Sequence, residues 1–146
     1  MKVFLDTNII LDFYDSSRGH YMPSAIIFDL ALKQKLDIYI CAQSFVTAFY
    51  ILRKVYDKDE LYRSMRALYS LCKVTSVDAS IIEKALDQEG RDFEDTCQYY
   101  SFECSDADII LTRDRKGFED FDVRHISAEE FLEEFFNKEE DSQPNN

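Results

Sequence analysis

The chain has 146 residues, 46% of them apolar and 14% aromatic, which fits one folded domain with a sizeable core and excludes a disordered chain. Its formal charge of -12 argues against a general nucleic-acid binder, because nonspecific affinity comes mostly from Lys and Arg neutralising phosphates. No apolar stretch approaches the roughly 20 residues of a membrane span, and the start of the chain lacks a basic region followed by an apolar one and a cleavage site, so a cytoplasmic protein is expected.

Lys2 to Leu5 reads as a buried strand, after which Asp6 or Thr7 caps a short helix through Tyr14. A loop with Ser16, Ser17, Gly19 and Pro23 leads to a helix near 23–34, whose Ile26, Ile27, Leu30 and Ala31 form one apolar face. Asp37 to Cys41 is rich in strand formers. Phe45, Phe49, Leu52 and Tyr56 then repeat at helical spacing, as do Leu61, Met65, Leu68 and Cys72, which predicts two helices joined by a charged turn at Asp57 to Asp59.

Val74 to Val77 is the next strand candidate, and Asp78 caps a helix carrying Ile81, Ile82, Ala85 and Leu86 that stops at Gly90. A helix from about Phe93 to Glu103 precedes a strand over Asp108 to Thr112. A turn at Arg115 to Gly117 leads to a last short strand near Val123 to Ile126. Ser127-Ala128-Glu129-Glu130 is a capping-box pattern opening a final helix through roughly Phe136, and 137–146 reads as a frayed polar tail. Four or five short strands alternating with helices predict a parallel sheet covered on both faces, a three-layer α/β/α domain over residues 1–136.

Three acids stand at matching places in this scheme. Asp6 follows Val3-Phe4-Leu5, Asp95 lies at the opening of a helix, and Asp114 follows Ile109-Ile110-Leu111-Thr112-Arg113. The carboxyl ends of strands in an open parallel sheet form the crevice where ligands sit, so these carboxylates are expected to converge there. Carboxylate oxygens suit the hard ions Mg²⁺ and Mn²⁺, and such sites commonly perform phosphoryl chemistry.

Other chemistries are poorly supported. Only three glycines are present, with no phosphate-cradling loop of the dinucleotide or P-loop kind. His20 and His125 lie in no nucleophile motif, and two histidines do not make a zinc site. Cys41, Cys72, Cys97 and Cys104 show no CxxC spacing and fall in apolar segments, which predicts buried free thiols in a reducing compartment.

The opening Val3-Phe4-Leu5-Asp6-Thr7-Asn8-Ile9-Ile10-Leu11-Asp12, the middle Tyr50-Ile51-Leu52-Arg53-Lys54, the segment Asp92-Phe93-Glu94-Asp95 and Ile110-Leu111-Thr112-Arg113-Asp114 through Phe118 resemble a PIN domain, and in particular the small VapC-like ribonuclease toxins. The resemblance covers residues 1 to about 126 and implies a metal-dependent nuclease. It matches Asp6, Asp95 and Asp114 to the family's metal-binding catalytic acids, with Mg²⁺ or Mn²⁺ as cofactor. Asn8 and Thr112 match the polar residues that orient those carboxylates. Thr47 falls where many PIN domains carry a Glu. Asp92 or Glu94 then supplies the missing charge, or the site works with three acids and water, or is weakened.

The resemblance therefore implies an endoribonuclease acting on RNA, with a small antitoxin protein as partner; the alternatives are a catalytically weakened binding or regulatory module and, third, a structure-specific DNA nuclease. Residues 129–141 hold half of the excess negative charge, so a local basic rim of Arg113, Arg115 and Lys116 gripping RNA is compatible with the overall balance. Each sharp reading has a plain rival. Asp6 alone would be read as a helix cap, and Asp92 and Glu94 as acids that complement a helix dipole. Tyr50, Tyr99 and Tyr100 stack on bases or, more commonly, fill a core, and Asp12, Asp15 and Arg18 read as solvated. Phe45 to Leu71 carries more apolar positions than one core-facing stripe needs, Tyr50, Ile51, Tyr62 and Tyr69 among them, which predicts a homodimer interface.

Overall fold

A computed structural model describes residues 1–142. Its strands are β1 (Lys2–Leu5), β2 (Asp37–Cys41), β3 (Lys73–Thr75), β4 (Ile109–Leu111) and β5 (His125–Ile126). Its helices are α1 (Thr7–Tyr14), α2 (Tyr21–Leu32), α3 (Ala42–Leu52), α4 (Lys58–Leu71), α5 (Ala79–Gln88), α6 (Phe93–Glu103) and α7 (Ala128–Asp141). The strands form one sheet in the order β3-β2-β1-β4-β5, and every neighbouring pair is parallel. Val3 stands between Ile38 and Ile109, and Leu5 between Ile40 and Leu111.

Alternation along the strands separates two cores, because successive strand side chains point to opposite faces. Val3, Leu5, Ile38, Ile40, Ile109 and Leu111 face α1 to α4 and α7. Phe4, Tyr39, Cys41 and Ile110 face the other way, with Phe118 and the Phe102 and Tyr99 side chains of α6. Both faces are covered, so the domain has the expected three layers.

Helix starts follow local chemistry. Asp57 with Glu60 and Ser127 with Glu130 form capping boxes on α4 and α7, and the Asp78 and Asp92 side chains accept backbone N–H groups at the starts of α5 and α6. Helix α2 begins before Pro23 because a proline in the first turn lacks only an N–H that would be unpaired there anyway. It ends at Leu32, just ahead of Gln34, whose φ is 59°. Strands β3, β4 and β5 are shorter than expected. Helix α7 runs on to Asp141 rather than ending near Phe136, so the first part of the expected tail is helical, and its residues 143–146 lie outside the described ones. Among the described residues, no helix is long and apolar enough to cross a membrane.

The strand order reverses direction at β1. Chain order runs outward from β1 through β2 to β3 on one side, then resumes with β4 on the other side. Such a switch point opens a crevice beyond the carboxyl ends of the strands. Asp6 is the residue that leaves β1 at that place. Its backbone N–H donates to Leu111 O (3.0 Å) at the end of β4, while Thr112 N–H donates to Ile126 O (2.9 Å), so the chain exits of β1 and β4 are fixed side by side.

Candidate active site

Asp6 is 2% exposed, and its carboxylate does not cap α1 although it occupies the cap position. Thr112 Oγ1 donates to Asp6 Oδ2 at 2.7 Å, and Gln98 Nε2 donates to Asp6 Oδ1 at 3.0 Å. Burial pushes the Asp6 pKa up, against the lowering effect of these two hydrogen bonds. The Thr112 hydroxyl also accepts the backbone N–H of Asp114 at 2.9 Å, so one threonine joins the first acid to the turn that carries the last.

Asp95 lies in the first turn of α6, where its N–H donates to the capping carboxylate of Asp92 at 3.0 Å. Gln98, one helical turn on, brings Nε2 to 3.5 Å from Asp95 Oδ1, so its amide stands between Asp6 and Asp95. Burial, and after it the charges of Asp6, Asp92, Asp114 and Glu94, push the Asp95 carboxyl up to about 8. Asp114 is exposed and caps the short turn Arg115–Gly117 by accepting the Gly117 N–H at 3.3 Å. Glu94 accepts from Thr7 Oγ1 at 3.2 Å, and burial raises its pKa first, with Asp6 and Asp92 adding to the shift.

These groups share a cavity of about 160 Å³ lined by Asp6, Asn8, Thr47, Glu94, Asp95 and Asp114, with Asp92 also at its wall. The fold thus brings the three predicted acids to one crevice with both candidates for a fourth. Thr47 sits at its wall, where its hydroxyl accepts from Gln43 Nε2 at 3.4 Å. The oxygen donors suit a hard divalent ion. Beside them Gln98 Oε1 is buried and, among the described residues, has no hydrogen-bond partner, an orphaned acceptor next to two carboxylates. The residues fit such an ion in kind; among the described residues, no three acids are already gathered about one point as a closed ligand set.

Several expectations need correction. Asn8 orients no carboxylate through its side chain; its Oδ1 accepts from Arg18 Nη2 at 3.0 Å. Asp12 is not solvated, since it is fully buried and pairs with Arg18 and Arg113, and Arg18 is half-buried against it rather than freely solvated. Within the expected basic rim, Arg113 pairs with the buried Asp12 while staying 30% exposed, Arg115 pairs with the exposed Glu130, and Lys116 is exposed without an ion pair among the described residues. Cys104 is exposed at the end of α6, unlike the buried Cys41 and Cys97. Tyr99 stacks on Phe121 with ring centroids 4.1 Å apart, as a core aromatic does, whereas Tyr50 is exposed beneath the guanidinium of Arg53.

Gln98 carried no signal in any motif. Its spacing of three residues from Asp95 on one helix was the available hint, because such pairs share a face.

The sequence of residues 2–116 matches the family model described as PIN domain. Ribonuclease VapC1 of Aquifex aeolicus (strain VF5) is 28% identical over 137 residues, covering 90% of this chain and 94% of that protein. Among solved structures, Mycobacterium tuberculosis VapC20, described as a Sarcin-Ricin loop cleaving toxin, superposes with a TM-score of 0.63 at 13% identity, covering 84% of this chain and 98% of that one. VapBC2 from Rickettsia felis, bound to a DNA fragment from its promoter, gives 0.61 at 17% identity, with 87% and 98% covered. With its acids at the switch point of a five-stranded parallel sheet and the family's sequence pattern over most of its length, the chain belongs to the PIN domain family.

Proposed function

We propose that this protein is a cytoplasmic endoribonuclease dependent on Mg²⁺ or Mn²⁺, and the toxin of a toxin and antitoxin pair. The observation that carries the reading is the meeting of Asp6, Asp95, Asp114 and Glu94 in one crevice, with Thr112 and Gln98 holding Asp6 in place. Its likeness to Ribonuclease VapC1 supports RNA as substrate, and its likeness to VapBC2 supports a small antitoxin as partner.

Asp6, Asp95 and Asp114 would hold the cation. What such an ion supplies when bound is neutralisation of charge on phosphate oxygens and a more acidic water. The chain's own residues prepare the place for it. Thr112 and Gln98 fix the Asp6 carboxylate from two sides, and the raised pKa of Asp95 favours a proton on that carboxyl at neutral pH. Glu94, tethered by Thr7 at the cavity wall, supplies the fourth negative charge that Thr47 does not.

A second reading, a nucleic-acid-binding or regulatory module without efficient catalysis, is favoured by Thr47 and by the absence, among the described residues, of a closed ligand set. Incubation with labelled single-stranded RNA and single-stranded DNA, in Mn²⁺ or in chelator, separates the readings. RNA cleavage that needs Mn²⁺ is expected; binding without cleavage supports the second reading, and cleavage of DNA alone contradicts both.

The α3 and α4 surface supports a homodimer. Tyr50, Tyr62 and Tyr69 are 57%, 49% and 66% exposed, and Phe45, Tyr62, Met65 and Tyr69 line an apolar depression between the helices.

A further inference from the structure

Asp12, in the middle of α1, has its side chain 1% exposed and is shared by two arginines. Arg18 Nε donates to Oδ1 at 2.9 Å and Arg113 Nη2 donates to the same oxygen at 3.0 Å, while Arg113 Nε stands 2.7 Å from Oδ2, off the line of a hydrogen bond. Arg18 Nη2 also donates to Asn8 Oδ1. Each guanidinium thus spends two of its five N–H donors on well-aligned hydrogen bonds or close ion pairing and keeps the rest. Neither is buried with the acid. The Arg18 and Arg113 side chains remain 28% and 30% exposed.

Two cations over one anion leave a surplus positive charge at this spot, on a chain whose formal charge is -12. Its position is as informative as its sign. Asn8 lines the acidic cavity and touches Arg18, and Arg113 directly precedes Asp114, so the pair stands on the rim of the crevice. Other arginines in ion pairs behave differently: Arg91, Arg115 and Arg124 meet exposed glutamates. Such surface pairs are weak and leave their side chains mobile, whereas a guanidinium fixed by a buried carboxylate is already oriented.

We propose that Arg18 and Arg113, held in place by Asp12, grip a backbone phosphate of RNA next to the scissile bond and set the strand's register in the crevice. Planar guanidiniums match phosphate oxygens in a forked geometry, and such contacts position a nucleic acid without reading its sequence. Asp12 is a positioning residue here: it touches no phosphate and aims the two groups that do. The inference rests on the ribonuclease reading only in naming RNA as the strand.

The test is binding of a fluorescein-labelled single-stranded RNA of about 20 nucleotides, followed by anisotropy in chelator across a range of salt. Single-strand affinity falls with salt at a slope of about 0.7 per neutralised phosphate charge, so Arg18→Gln combined with Arg113→Gln, which removes the grip on one phosphate, should flatten the slope by about 0.7 and weaken binding at low salt at least tenfold. Arg115→Gln should change both much less. Equal loss in Arg115→Gln, or an unchanged slope in a folded double variant, would overturn the proposal. Should the double variant not fold, the wild-type protein still decides. RNA should shield Arg18 and Arg113, but not Arg124, which precedes β5 at the amino end of the parallel sheet, from modification by phenylglyoxal, read by mass spectrometry. Unshielded Arg18 and Arg113 contradict it. Because chelator is present throughout, a protein that grips RNA yet never cleaves it in Mn²⁺ sinks the nuclease reading and leaves the grip standing.

Discussion

Gly117 lies directly against the carboxylate of Asp95: a Cβ placed on Gly117 would fall 1.9 Å from Asp95 Oδ2 and 2.7 Å from its Cγ. The turn that carries Asp114 therefore closes over Asp95 only because residue 117 has no side chain. Replacing it moves an acid of the crevice without touching any acid. Gly117→Ala is expected to keep the fold, shown by an unchanged circular dichroism spectrum, and to lower RNA cleavage about 10- to 100-fold, the usual range when a residue supporting a metal ligand is lost. Wild-type rates in that variant would mean that Asp95 is free to sit elsewhere.

The acidic crevice should make the cation-free protein sensitive to pH with a definite sign. Asp95 titrates near 8 in the folded chain, because of burial and then its acidic neighbours, against an ordinary value of 3.8. The folded state thus holds a proton that the unfolded state has released between those values, so this group's favourable contribution is complete below about pH 4 and is lost as pH rises through about 8. Asp95→Asn removes the effect. In chelator the variant should melt close to wild type near pH 4 and higher by about 10 °C or more near pH 8. A difference that stays constant with pH would show that Asp95 keeps an ordinary pKa.

Gln98 offers a separate test, since its amide bridges Asp6 and Asp95. Gln98→Glu places a further carboxylate between two existing ones. In chelator at pH 7 it should melt several degrees below wild type, and Mn²⁺ should raise its melting temperature more than that of wild type, because a ligand bound only by the folded state stabilises it by mass action. An equal Mn²⁺ response in the two proteins would place the cation away from Gln98.

The assembly is tested by light scattering at micromolar concentration. Wild type should run at twice the mass of one chain, and Tyr62→Glu with Tyr69→Glu, which put charges on the exposed α3 and α4 surface, should run at one. A wild-type monomer would rule out the dimer.

Strand ends made the acids legible: an apolar run followed by a lone acid, as at Leu5-Asp6 and in Ile110-Leu111 before Asp114, marks the functional edge of a parallel sheet. Thr112 was legible by its place beside them. Asp12 was not, because an acid in the first helix of a charged chain reads as surface; its flanking by Leu11 and Phe13 was a sign that it points inward and needs partners. Those partners, Arg18 and Arg113, are separated by 95 positions and meet only through the fold. The amide of Gln98 was silent for the same reason, since its meaning depends on Asp6, which is 92 residues away. Shortened strands and the longer α7 reflect hydrogen bonding and packing at element ends, where local pattern is weakest.

Under the proposed function, Asp6, Asp95 and Asp114 would hold a divalent cation that assists hydrolysis of RNA. This role is tested most directly by initial rates of cleavage of a labelled single-stranded RNA across a Mn²⁺ titration, for wild type and for Asp95→Asn. The wild-type rate should rise with Mn²⁺ and vanish in chelator, and the folded variant should be slower by at least about 100-fold at every concentration. Cleavage that persists in chelator, or equal rates in the two proteins, would contradict it.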